Sequence, residues 1–149
     1  MTNREVIITR TFDAPRELVW QAWTDPKHMA QWWGPKEFTN PVCELDVRPG
    51  GAIRIDMTGP DGVVYPLTGV FHEVIPPERL VMTTSAFANE VGTPGLEVRN
   101  TIMFTALDNK TKLTLHAVVL KAVPEVAGAL AGMEEGWNQS LDRFAALVE

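Results

Sequence analysis

The sequence predicts an α+β fold in which a seven-stranded curved antiparallel sheet wraps a long C-terminal helix, with two short helices after the first strand. Three observations predict it. Stretches of alternating apolar and polar residues recur along most of the chain, separated by turns rich in proline and glycine. Two proline-led helix starts interrupt them early, and from Pro124 the apolar spacing changes to three and four residues.

Residues 4–12 (REVIITRTF) form the first predicted strand, with Val6, Ile8 and Phe12 on one face. Arg10 shares that face, either as a charged edge position or as an inward ion-pair partner. Asp13-Ala14-Pro15 then supplies a carboxylate and a preset φ for a helix start, and Leu18, Val19, Ala22 and Trp23 make the helix's apolar stripe. Asp25-Pro26 repeats the signal for a second short helix through Met29, Trp32 and Trp33, which Gly34-Pro35 stops.

Strands are expected at 42–48 and 52–58 around the Pro49-Gly50-Gly51 turn, with Cys43, Leu45, Val47, Ile53, Ile55 and Met57 on the apolar face. Gly59-Pro60-Asp61-Gly62 turns into a strand at about 63–75, and Pro76-Pro77-Glu78 precedes one at 79–87. Strands at 97–106 and 112–121 flank a hairpin turn at Asp108-Asn109-Lys110. Gly69 is a candidate bulge, and a bulge inverts the facing of everything after it. In the last segment Val126, Leu130, Met133, Trp137, Leu141, Phe144 and Val148 lie on one stripe of a 25-residue helix about 37 Å long. Trp137 falls at the stripe's centre, so its truncation to alanine is expected to cost roughly 3–5 kcal/mol.

The 149 residues suit one domain, 1–149, with a sizeable core. No apolar run approaches the ~20 residues of a membrane span, and MTNREVIITRTF lacks the layout of a secretory signal, so a cytoplasmic location is expected. The lone Cys43 has no internal disulfide partner. A formal net charge of −6, without a basic stripe, would repel a phosphate backbone, so no nucleic-acid partner is expected.

Several strings together carry a family resemblance: Thr9-Arg10-Thr11-Phe12-Asp13-Ala14-Pro15, Ala22-Trp23-Thr24-Asp25-Pro26, Trp32-Trp33-Gly34-Pro35, Asp46-Val47-Arg48-Pro49-Gly50-Gly51, and Gly136-Trp137 with Leu141. In this order, from about residue 5 to residue 148, the chain resembles the heat-shock-protein-90 ATPase activator homologues, a branch of the START-like, SRPBCC superfamily. The resemblance implies a helix-grip fold with a deep apolar cavity between sheet and C-terminal helix. Relatives in that superfamily include lipid carriers, hormone receptors and polyketide cyclases or aromatases, so the fold alone does not fix the function.

The residues themselves show little chemistry. His28, His72 and His116 are widely separated and form no metal-ligand spacing, and Ser85 and Ser140 lack a nucleophile-elbow context. Neither a dinucleotide fingerprint nor a phosphate-binding loop is present, so no cofactor and no metal are expected. Cys43 sits among apolar strand positions, where a thiol is usually a small buried hydrophobe. Glu73 is the best single general acid or base, with an ion pair to Arg10 or Arg48 as its structural alternative.

Aromatic residues say more. Of five tryptophans, Trp20, Trp23, Trp32 and Trp33 cluster on the short helices and Trp137 lies on the last helix, either lining a cavity mouth or filling the core. The candidate cavity residues are Trp23, Trp33, Met57, Tyr65, Phe71, Glu73, Phe87, Met103, Met133 and Trp137. The leading expectation is a module that binds or carries a small hydrophobic or aromatic ligand. The alternatives are a cyclase- or aromatase-like enzyme in which Glu73, Tyr65 or a histidine moves a proton, and a chaperone-linked protein-interaction domain that would show a large exposed apolar patch. Gly128, Gly132 and Gly136 fall on one helix line, roughly opposite the apolar stripe, and suggest a mobile flap, a homodimer contact, or simple tolerance of glycine.

Overall fold

The alternating stretches pair into one antiparallel sheet of order β1-β7-β6-β5-β4-β3-β2 in the computed structural model, which describes residues 4–149. The strands are β1 Glu5–Phe12, β2 Thr39–Leu45, β3 Ala52–Thr58, β4 Val64–Ile75, β5 Arg79–Ala86, β6 Leu96–Leu107 and β7 Lys110–Ala122. Two helices, α1 Arg16–Thr24 and α2 Pro26–Trp32, join β1 to β2, the two edge strands. This is the expected helix-grip arrangement.

Local chemistry explains most boundaries. The Asp25 carboxylate accepts the Lys27 amide at 2.8 Å and Pro26 takes the first helical position, so α2 starts where the sequence says. For α1, Pro15 occupies the cap position and no side chain caps it. Asp13 lies outside that role: its N–H donates to the Glu149 carboxylate at 3.1 Å, tying the end of β1 to the C-terminus. The second strand ends earlier than expected, at Leu45 rather than 48, because the Asp46 N–H folds back onto Ala52 O and Arg48 N–H onto Asp46 O. Only glycine fits at 51, where a Cβ would stand 1.8 Å from Asp46 O.

Two expectations are corrected. The β4 bulge lies at His72, not at Gly69: Phe71 pairs with Met82 and Glu73 with Val81, leaving His72 without an opposite residue. Gly69 is there because its backbone runs close to β5, and a Cβ would meet Thr83 O at 2.4 Å. The C-terminal segment is not one 25-residue helix. It is a single 3-10 turn at Pro124–Val126, then α3 Ala127–Ala131, then α4 Met133–Val148, broken at Gly132, whose φ of −92° and ψ of 4° leave the helical region.

The core gathers where α1, α2 and α4 meet the sheet. Trp23, Trp32, Phe12 and Phe144 are fully buried, with Phe144 edge-on to both Phe12 and Trp32 at 5.0 Å between ring centroids. Arg10 reaches the Asp142 carboxylate on α4, so it is the ion-pair partner. Trp20, half-buried, packs edge-on against Phe104 at 5.3 Å.

Candidate functional site

Beyond this core α4 lifts away from the sheet, and α3 buries none of its residues. The side chains that would fill the gap are missing, because Ala129, Gly132 and Gly136 face Leu67 and Ala86 across it. What remains is a cavity of two connected chambers. The outer one, about 660 Å³, lies under α3 and the start of α4, and Phe38, Tyr65 and Phe87 surround it at ring separations of 6.0 and 6.3 Å. A second chamber of about 160 Å³, inner in lying toward the packed core rather than in being more enclosed, continues beneath α4 between Trp33, Trp137, Thr84, Val98, Asn100 and Ser140. Met57, Leu67, Leu96, Met133 and Gly136 border both chambers.

Six of the ten expected residues are in these walls: Trp33, Met57, Tyr65, Phe87, Met133 and Trp137. Four are not. Trp23 and Phe71 are buried in the core, at 0% and 1% exposure, and belong to packing. Met103 lies on the opposite face of the sheet, where Arg79 Nη1 donates to its sulfur at 3.2 Å. Glu73 is also outside, paired with Arg79 at 3.3 Å rather than with Arg10 or Arg48. Simple alternation would have put Glu73 beside Phe71 facing inward, and the extra residue His72 turns it outward.

The other titratable candidates also lie away from the cavity. His72 contacts Thr83 Oγ1 at 2.7 Å and His116 contacts Glu5 at 2.8 Å, while Tyr65 is the one titratable side chain among the described cavity walls. Burial, with a smaller contribution from Glu44, pushes the Cys43 thiol up to about 11, which leaves it protonated and unreactive near neutral pH.

Residues not singled out from sequence shape the inner chamber. Thr84, Asn100 and Ser140 are its polar groups, at 8%, 1% and 4% exposure. A readable signal existed for Asn100, since it occupies an inward position in the alternation Val98, Asn100, Ile102, Phe104. The Trp33 wall is held by Arg143 of α4. Its Nη1 donates to the carbonyls of Trp33, Gly34 and Pro35 at 3.0–3.1 Å, and its Nη2 to that of Gln31 at 2.9 Å. A cation at the end of α2 satisfies carbonyls that the helix leaves unpaired. Burial lowers the Arg143 pKa, and the guanidinium stays charged in the working range of proteins. Asn40 completes the fastening, donating to Ala30 O at 3.0 Å and Trp33 O at 2.8 Å.

The glycine line does not face away from the sheet. Gly132 and Gly136 border the cavity because each step of four residues turns about 40° past a full turn, so the line drifts from opposite the apolar stripe at Gly128 to its flank at Gly136. No helix of the described residues is long and apolar enough to cross a membrane.

Residues 13–149 match the family described as Activator of Hsp90 ATPase homolog 1-like protein. A search of curated proteins returns no match. Among solved structures, a Chromobacterium violaceum protein is 26% identical with a TM-score of 0.81, covering 97% of each chain. An Arthrobacter aurescens protein is 28% identical with a TM-score of 0.83, over 97% of this chain and 85% of the other. A Mycobacterium smegmatis protein is 27% identical with a TM-score of 0.78, over 100% and 96%.

Proposed function

The chain belongs to the Activator of Hsp90 ATPase homolog 1-like family, and from that premise we propose that it binds a small hydrophobic or aromatic molecule between α4 and the sheet. The observation that carries this reading is the pair of connected, mainly apolar chambers, of about 660 and 160 Å³. The larger one lies within the ~300–1,000 Å³ of ordinary ligand sites. Aromatic and methionine side chains supply the walls, and methionine adapts its shape to varied ligands.

Burying ~300 Å² of ligand apolar surface is worth about 7 kcal/mol. Association costs about 4–15 kcal/mol, so apolar contact alone supports millimolar binding at best, and tighter binding needs pre-organisation or a polar contact.

Titration with the neutral dye N-phenyl-1-naphthylamine tests the proposal. Saturable fluorescence enhancement is expected, displaced by small aromatic competitors, with amide shifts in nuclear magnetic resonance spectra confined to residues of the two chambers. Absence of saturable binding, or shifts spread over the outer face of the sheet, would sink it.

A further inference from the structure

We propose that the inner chamber recognises a hydrogen-bond donor on an aromatic ring, a phenolic hydroxyl or an equivalent O–H or N–H, through Oδ1 of Asn100. This rests on the ligand-binding reading above and names the class of ligand.

Five buried side-chain polar atoms have no partner among the described residues, and Asn100 Oδ1 is the one whose residue lines either of the two chambers between α4 and the sheet. Roughly 90% or more of buried polar groups in folded proteins are paired, so an unpaired acceptor on a residue of a cavity wall calls for an explanation. The amide's orientation follows from its neighbours. Asn100 Nδ2 donates to Thr84 Oγ1 at 3.2 Å and lies 3.4 Å from Val98 O, an atom that can only accept, so nitrogen must be on that side and oxygen on the other. Asn100 is 1% exposed and its Oδ1 is covered, so bulk water does not serve the oxygen, and a ligand donor pairs with it once neighbouring side chains make way.

Size and charge define what fits. A chamber of about 160 Å³ matches the ~150 Å³ that holds one benzene ring. Trp33 and Trp137, perpendicular to each other at 5.3 Å, offer a ring both a face and an edge. No Asp, Glu, His, Lys or Arg is among its described walls, so a carboxylate or ammonium would enter without a counter-charge. The end of the ligand that reaches Asn100 is therefore a neutral donor on a ring, and the larger chamber takes the remainder.

Calorimetric titration with 2-naphthol, 2-methoxynaphthalene and naphthalene separates the possibilities. We expect 2-naphthol to bind about 2- to 10-fold more tightly than its methyl ether, the range of one net hydrogen bond. Asn100→Leu should bring the two within about 2-fold while keeping naphthalene binding. The Asn100 side-chain NH₂ resonances should move with 2-naphthol and stay in place with naphthalene, a readout that survives if the variant does not fold. Equal affinity for 2-naphthol and its ether in the native protein overturns the donor proposal and leaves ligand binding standing. A preference that persists in Asn100→Leu overturns it as well, since recognition would then lie elsewhere. Saturable binding of none of the three overturns both.

Discussion

The two ends of the space between α4 and the sheet have the same layers and opposite contents. At one end Leu141, Phe144 and Val148 are buried against β1 and the short helices, and Phe144 meets Phe12, Trp23 and Trp32. At the other, the segment 127–136 offers alanines and glycines, and the layers stand apart around the cavity. The apolar spacing read from sequence continues through both ends, although the helix that carries it is broken at Gly132. The difference is side-chain volume: where it fills the gap, burial stabilises the fold, and where it is absent, room for a ligand remains. Stability is concentrated at the filled end so that the other can stay open.

Five experiments probe this division. The largest effect is expected for Phe144→Ala, which empties the centre of the filled end and should cost about 3–5 kcal/mol in urea unfolding. A loss below about 1 kcal/mol would dissolve the distinction. Next is Arg143→Ala, which removes the donor shared by four carbonyls and should destabilise by about 2 kcal/mol while loosening the Trp33 wall. Arg143→Lys, a point charge in place of a fork, should recover only part of it.

Trp137→Ala should cost about 1–2 kcal/mol, less than the central position in the stripe suggested, because the ring is half-buried and borders a chamber already empty. A loss equal to that of Phe144→Ala would mean that the inner chamber closes in solution. The smallest effect is a gain. Gly132→Ala meets no atom nearer than 3.7 Å and should stabilise by about 0.5–1 kcal/mol while slowing ligand exchange. Hydrogen exchange should find 126–136 less protected than 137–147, and equal protection would remove the case for a moving flap.

The fold was legible because patterning and turn chemistry are local. Alternation gave seven strands, and Asp25-Pro26 placed a helix start to the residue. What escaped is what the chain does out of phase with itself. The residue inserted at His72 turned Glu73 outward, and the drift of a four-residue spacing around the helix brought Gly136 to the flank of the stripe. The first leaves no mark in periodicity, because it depends on what the partner strand presents. Arg143 escaped for another reason: its four acceptors are backbone carbonyls more than a hundred residues away. Asn100 was readable as a polar residue on an apolar face, a sign that composition and motif searches pass over.

Gly136 stands at the junction of the two chambers, and a Cβ built on it meets nothing within 4 Å. On the proposed ligand-binding reading, this is the bordering position at which a side chain can be added into free space. A methyl group added there disturbs no neighbour, so alanine should narrow the passage, while leucine should divide one long site into two short ones. Among relatives with this backbone, the residue at this place should act as a gauge of how long a molecule each accepts, and it can change without loss of the fold.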